Sequence, residues 1–496
     1  MAGTLCARVA AACDRVLDGL GAGDTRAAVE AVRAGLGEPL RVAVAGRVNS
    51  GKSTLVNAIL RQRVAPTDVS ECTRLVTWFR FGVPEGVEVA RHDGTRRRIP
   101  LRPDGSLPPI LGVPLDQISH LVVHLSNEAL RDLVLIDTPG LASVNDDNSR
   151  VTRELLALDS SSREAVAGAD AIVYVLTSVL REDEARVLTA FRALVGDLTS
   201  SAVNAVAVLN KADQIGDGGP EAWPAAQRLA DEFAGQLRSL VAAVVPLVGL
   251  LAETADAGGL TERDVADLSR LAELPPAARS ALLLSADRFV SAPAPVPGEA
   301  RARLLERLDL HGIAVAFDLL DAGPSPATAL VQVLRERSGI DRLRRLLVEA
   351  FARNADALKA SHGLAALERL AYAPPEPGSE ARWSLLRSEI EEIRIDRAMH
   401  RLNEIRAVND WACGAVALPA PLEDDLRRLT SSEVPAGRLG LPGDSGVDDL
   451  RSAAALGAAK WKAFGNGGQA DPSQRWLADV ATRSYELLWL AAGRES

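Results

Sequence analysis

The sequence predicts an α/β phosphate-loop domain, with a mainly parallel sheet and helices on both faces, joined to an all-α helical bundle built from N- and C-terminal segments. Three observations carry this. The stretch Arg41 to Leu60, RVAVAGRVNSGKSTLVNAIL, is an apolar strand that turns through a Gly-rich loop into an amphipathic helix. Apolar strand-like runs follow at LVLID (133–137), AIVYVLT (171–177) and AVAVLN (205–210), separated by helical stretches, which is the βαβ rhythm of a covered sheet. Beyond SAPAPVPGE (291–299), a linker or long loop, strand signals stop and apolar stripes of helical period take over.

Length and composition bound the rest. A chain of 496 residues suggests two or three domains, and 47% hydrophobic residues can fill their cores. The boundaries fall at 1–38 for N-terminal helices that join the bundle, 39–300 for the α/β domain and 301–496 for a helical neck and trunk. A net charge of −10 excludes a dedicated nucleic-acid binder, which would need a basic face. Cys6, Cys13, Cys72 and Cys413 are scattered, so neither a zinc site nor a disulfide framework is indicated and a reducing cytoplasm fits. No run approaches the roughly 18 apolar residues needed to span a bilayer, so any membrane contact is expected to be peripheral, at the inner face of the plasma membrane.

The first helix is expected over residues 4 to 20, where Leu5, Val9, Cys13, Val16 and Leu20 share a face, and the second over Thr25 to Leu36. In the loop that follows, GRVNSGKS, Gly46 ends the strand and Gly51 lets the backbone close around a phosphate. The amides opening the helix point at the anion with the helix dipole behind them. Lys52 would hold the β- and γ-phosphates and Ser53 a Mg²⁺ ion. Only five residues of the chain are lysines, which sharpens the match.

Thr73 follows Lys52 by 21 positions and suits a switch threonine that binds Mg²⁺ and the γ-phosphate together. GVEVARHDGTRRRIPL (86–101) reads as a hairpin turning at Asp93-Gly94. The strand at 133–137 ends in Asp137-Thr138-Pro139-Gly140, placing Asp137 on Mg²⁺ through water and the Gly140 amide on the γ-phosphate. The strand at 205–210 runs into Asn210-Lys211-Ala212-Asp213. Asp213 can accept from guanine N1–H and the 2-amino group, which adenine lacks, while Asn210 and the Lys211 stem brace the loop and ring. The nucleotide is therefore expected to be GTP, lined by Gly46, Asn49, Ser50, Gly51, Lys52, Ser53 and Thr54 on the phosphate side and by Asn210, Lys211 and Asp213 at the base. The last base-contacting loop is expected near Gly249.

In the C-terminal part, one stripe from Ile340 to Leu370, with a candidate break at Gly363, and a second from Trp383 to Trp411 predict two long helices, each reaching roughly 50 Å, joined at APPEPG. Residues 412–446 read as irregular, and helices are expected near 447–464 and 473–491. WACGAVALPAPL (411–422) reads as a packed interhelix turn, with a membrane wedge or a partner contact as the alternatives.

The order GRVNSGKST, Thr73, DTPG, NKAD, with helices on both sides, resembles the bacterial dynamin-like proteins. VVPLVGLLAET (244–254) and ERSGIDRLRRLL (336–347) resemble the actinobacterial isoniazid-inducible pair, most of all its smaller member. The resemblance implies a GTPase that dimerises through its nucleotide face and acts in membrane remodelling or maintenance, with a paralogous partner. Val48 departs from the family, whose phosphate loops usually carry a polar catalytic side chain there. Leu141 occupies the position of the water-orienting glutamine of Ras-like enzymes. Asn49 occupies a position that, in GTPases resembling this one, helps hold K⁺ beside the phosphates, so the catalytic set implied is Lys52, Ser53, Thr73, Asn49 and Gly140, with Ser53, Thr73 and Asp137 on the metal. GRVNSGKSTLVNAIL also resembles soluble ribosome- or RNA-assembly GTPases, and a slow GTP-switch scaffold is the other alternative.

Overall fold

The computed structural model describes residues 4–66, 75–139, 168–195, 202–216, 221–372, 380–412, 414, 416–432 and 434–493. Two helices, α1 (Leu5–Leu17) and α2 (Asp24–Gly37), lead into β1 (Leu40–Gly46), and the phosphate loop connects β1 to α3 (Lys52–Leu60). Then come β2 (Thr77–Phe81), β3 (Gly86–Arg91), β4 (Arg96–Ile99), β5 (Ile118–Leu125), β6 (Leu133–Asp137) and β7 (Ala171–Leu176). After α4 (Glu182–Val195), β8 (Ala205–Asn210), α5 (Ala222–Gln236) and β9 (Val244–Leu247), the described chain is helical.

These strands form one nine-stranded sheet in the order β4-β3-β5-β2-β6-β1-β7-β8-β9. The five strands from β6 to β9 run parallel, β2 lies antiparallel to β6, and the β3–β4 hairpin closes one edge. Period-two alternation divides the core between two faces. Val42 and Val44 of β1 pack with Val173, Val206 and α3 on one side, and Ala43 and Ala45 with Ile172 and Tyr174 on the other. β7 is buried at every position, as a strand covered on both faces must be. Order reverses at β1, whose neighbours are β6 and β7, and open α/β sheets bind ligands beyond the strand ends at such a point.

The second face is covered by α6 (Gly249–Asp256), α7 (Glu262–Ala272), α8 (Pro276–Leu282), α9 (Ala286–Ser291), α10 (Gly298–Asp321) and α11 (Ala327–Ser338). Sequence reading starts the bundle at residue 301, yet α10 packs on α6, α7 and α9, and α11 packs on α6. The reason is that Leu304, Leu308, Ile313 and Leu330 belong to the same buried cluster as the sheet.

The predicted long helices are each broken. The first stripe is carried by α12 (Ile340–Ala350) and α13 (Ala355–Ala371), which meet through a 3₁₀ turn at Ala352–Asn354 and not at Gly363. Gly363 instead lets α13 approach the N-terminal helices, since a Cβ there would meet Leu36 at 3.1 Å and Val9 at 3.4 Å. The second stripe is carried by α14 (Glu380–Arg394) and α15 (Arg397–Ala412), where the Asp396 carboxylate accepts from the Ala398 amide at 2.9 Å and starts a new helix. The APPEPG connection lies outside the described residues. α1 joins this group through Asp356, which accepts from the Leu5 and Cys6 amides at 2.8 and 3.1 Å, and through Arg15–Glu389 at 2.7 Å.

The stretch expected to be irregular holds α16 (Ala420–Ser431) and the short α17 (Pro435–Leu439), because its prolines open helices instead of breaking them. With α18 (Val447–Gly465) and α19 (Pro472–Ala492) they enclose a third core around Trp461, Leu477 and Tyr485. Val416, Leu418 and Leu422 are buried in it, so the apolar segment at 411–422 is a packed turn. Among the described residues no helix is long and apolar enough to cross a membrane. Replacing Val416 and Leu418 together by Asp should therefore destabilise this core by at least about 3 kcal/mol, read as a lower midpoint in urea unfolding. An unchanged midpoint would mean that these side chains face solvent.

Candidate functional site

The ends of β1, β6 and β8 meet on one edge of the sheet. At the end of β1 the backbone of Gly46 takes φ 149°, and a Cβ there would lie 2.5 Å from the Val175 carbonyl. The loop continues through Asn49 at φ 62° and Gly51 at φ 90°, the left-handed region that an asparagine or glycine tolerates best. Gly51 has a second reason to be glycine: a Cβ would meet the Asn210 amide nitrogen at 2.2 Å. Helix α3 then begins at Lys52, its first amides facing into the loop.

Lys52 is buried, and its ammonium donates to the Arg47 carbonyl at 2.8 Å. Burial pulls its pKa below the ordinary lysine range, and the charge of Asp137 counters part of that shift. One residue on, Ser53 Oγ donates to Asp137 Oδ2 at 2.9 Å. Burial pushes the Asp137 carboxyl up to about 6, against the opposing pull of Lys52 and the Ser53 hydroxyl. Its other oxygen, Oδ1, is buried without a hydrogen-bond partner. Ser50 Oγ is also buried and unpartnered, at the floor of the same loop. The next residue of the β6 end is spent on the scaffold: Thr138 Oγ1 donates to the Val44 carbonyl at 2.8 Å and fixes β6 to β1.

At the end of β8, Asn210 bridges two loops. Its amide nitrogen donates to the Ser50 carbonyl at 2.8 Å and its oxygen accepts from the Gly249 amide at 3.0 Å. Lys211 adopts φ 57° and leads into the 3₁₀ turn Ala212–Gln214, which carries Asp213. Burial raises the Asp213 carboxyl above its usual range. Asn49 is exposed, as is Val48 at 54%. Thr54 is half-buried in the first turn of α3. Thr73, Gly140 and Leu141 lie outside the described residues.

Sequence reading missed the support behind this loop. Asn57 of α3 is buried, accepts from the Val64 and Ala65 amides at 3.0 and 2.8 Å, and donates to Glu253 at 2.9 Å. It thereby shapes the chain that leaves α3 toward Thr73. An asparagine inside the otherwise apolar VNAIL was the one available signal.

A sheet of this order with a phosphate loop at its reversal point defines a P-loop nucleotide-binding α/β domain. Residues 42–211 match the family model described as "Dynamin family". The chain is 33% identical over 473 residues, 94% of its length and 93% of the relative's, to the "Isoniazid-induced protein IniC" of Mycobacterium tuberculosis. It belongs to the dynamin family and carries that family's GTPase domain. A shorter similarity, 28% identity over 28% of this chain and 12% of the other, links it to the Arabidopsis thaliana protein "Probable transmembrane GTPase FZO-like, chloroplastic". A solved chain of "an oligomerised bacterial dynamin pair" overlays on 99% of this chain and 75% of its own, at 12% identity and a TM-score of 0.32, too loosely to add to the assignment.

Gly51→Ala should weaken binding of GTP and GDP alike by about tenfold or more, because a left-handed alanine and a displaced Asn210 together cost roughly 1–3 kcal/mol. Calorimetric titration with both nucleotides checks this. Affinities equal to the parent's would show that the loop does not need the contact.

Proposed function

We propose that the chain binds GTP and hydrolyses it to GDP and phosphate on Mg²⁺, as a dynamin-like mechanoenzyme acting at a membrane. The observation that carries this reading is the convergence of three strand ends on one loop, with Ser53 at 2.9 Å from Asp137 and Asn210 holding Ser50 and Gly249. In this reading Lys52 and the amides from Asn49 to Thr54 bind the phosphates, with Gly46 and Gly51 giving the backbone its path. Asp213 selects guanine, and Asn210 and Lys211 shape the base pocket.

The residues present fit a Mg²⁺ ion. Ser53 and Asp137 are hard oxygen donors side by side, and Asp137 Oδ1 is buried with its lone pairs unused. Thr73 completes the metal set in this reading, and Gly140 would donate its amide to the γ-phosphate. When bound, the ion neutralises charge on the β- and γ-phosphates. The chain's own contribution is to hold the triphosphate in line and to keep Lys52 charged against the bridging oxygen.

Leu141 cannot orient water, so charge growing in the transition state needs another partner. Asn49 supports K⁺ in that role: it is exposed at the loop's rim, held at φ 62°, and makes no hydrogen bond within the described loop. The family resemblance supports a dimer across the GTPase domains, closed over the nucleotide face by a second copy. The resemblance to an isoniazid-inducible pair supports a paralogous partner. With no membrane-crossing helix among the described residues, membrane contact in this reading is peripheral, from the cytoplasmic side. The GTPase domain spans 39–300 extended by α10 and α11, and the remaining helices with α1 and α2 form the neck and trunk.

GTP turnover should be faster in K⁺ than in Na⁺ at equal ionic strength, rise with protein concentration, and lose its K⁺ dependence in Asn49→Ala. Phosphate release under the two salts measures it. Equal rates, with GTP binding intact, would remove K⁺ and point to an arginine from a second subunit.

A further inference from the structure

The C-terminal helices line a half-open cavity of about 480 Å³, a volume in the range of small-ligand sites. It lies between the N-terminal turns of α15, the connection from α16 to α17, and the last turns of α19. Its polar wall is made by Arg397, Arg401, Arg438 and Glu404, and its apolar wall by Leu487 and Leu488.

The charges here are already arranged around one another. Glu404 is buried, and its two oxygens accept from Arg438 Nη2 and, at 2.9 Å, from Arg401 Nη1. Burial would push the Glu404 carboxyl up, but the Arg438 and Arg401 guanidiniums hold it below its usual range, so it stays ionised. Arg438 is 8% exposed and also donates from Nε to the Leu429 carbonyl at 2.6 Å. The other carboxylate at the wall, Asp396, pairs outward with Arg8 at 2.6 Å. His400 is spent on the Ser484 hydroxyl at 2.8 Å, and burial holds its imidazole below the ordinary range, hence neutral. Arg397, at the mouth, is exposed and has no partner among the described residues.

With Asp396 neutralised by Arg8, three guanidiniums line the cavity against the one remaining carboxylate, Glu404, and Arg401 also donates to the Thr430 carbonyl at 3.3 Å. Burying such a cluster contributes little to stability compared with apolar residues of the same volume. A purely structural ion cluster would also be packed closed, whereas this one borders open space. The surplus of two positive charges matches a dianion, and the N-terminal end of a 16-residue helix adds to the same field. Arginine forks match multiply accepting oxyanions, carboxylates and phosphates alike, better than a halide, and of these it is the phosphate monoester that carries a double charge. The leucine wall suits a short carbon chain attached to it.

We propose that this cavity is a binding site for a phosphate monoester, held by Arg397, Arg401 and Arg438 and independent of the nucleotide site. Two sources share that chemistry, a soluble phosphorylated small molecule and the headgroup of a phosphatidic-acid-like lipid.

The test uses the full chain, with glycerol 3-phosphate as the soluble probe in calorimetry and flotation of phosphatidylcholine vesicles with and without phosphatidic acid. One saturable site is expected, weakened at least tenfold in Arg397→Glu, a surface change that should leave the unfolding midpoint in place, and also weakened in Arg401→Gln. Binding of the soluble ester alone assigns a soluble ligand. Flotation that needs phosphatidic acid and is lost in Arg397→Glu assigns a lipid headgroup. Absence of binding to either probe, or binding unchanged in Arg397→Glu, overturns the proposal. So does loss confined to Lys52→Ala, which would place the phosphate in the nucleotide loop.

Discussion

The structure depends most on one side-chain amide. Asn210 joins a carbonyl of the phosphate loop to an amide of the loop after β9, 160 and 39 residues away in sequence. Each bond alone contributes only about 1 kcal/mol, but all three groups are buried, and leaving any of them unpaired would cost roughly 1–3 kcal/mol. The same closeness means that any side chain larger than hydrogen at position 51 would displace the Asn210 amide. The phosphate loop and the loops after β8 and β9 are thus one mechanical unit, not separate motifs that share a sheet.

That unit is continuous with the helices. The residue before Gly249 is Val248, whose amide donates to the Ser338 carbonyl at 2.9 Å, at the junction of α11 and α12. From α12, Arg344 reaches the Ala58 carbonyl at the end of the phosphate-loop helix at 2.6 Å and Asp256 of α6 at 2.7 Å. On the opposite edge of the sheet, Lys359 of α13 caps the end of α2 through the Leu36 carbonyl at 2.7 Å, and His362 meets Asp170 before β7 at 2.9 Å. One buried cluster runs from β1 and α3 through α1, α2 and α12–α15. α1, α2 and α12–α15 are consequently built onto the sheet's own core, while α16–α19 close the third core beside them.

Much of this was legible in the sequence, for identifiable reasons. Strands buried on both faces must be unbroken apolar runs, so β1, β6, β7 and β8 announced themselves, and the loops carrying chemistry begin where those runs stop. The βαβ rhythm then implied the sheet. The helical breaks were not legible, because a 3₁₀ turn at 352–354 and a single capping aspartate at 396 leave the apolar stripe nearly in phase. Prolines at 419, 421 and 435 look like breakers in isolation, although they open α16 and α17. Long-range polar contacts such as Asn57–Glu253 and Glu404–Arg438 carry no periodic signal at all. The loop at Gly249 was singled out by position alone, and the bond from its amide to Asn210 carries no periodic signal either.

In the function proposed above, the unit held by Asn210 selects the guanine base and the same site releases the γ-phosphate of GTP. The most direct measurement is phosphate release from GTP and XTP by the parent chain and by Asp213→Asn, at equal Mg²⁺ and K⁺. Turnover of GTP over XTP is expected in the parent and a reversed preference in the variant, since the substituted amide exchanges an acceptor for a donor opposite the 2-position of the base. A variant that discriminates between the two nucleotides as the parent does would contradict it.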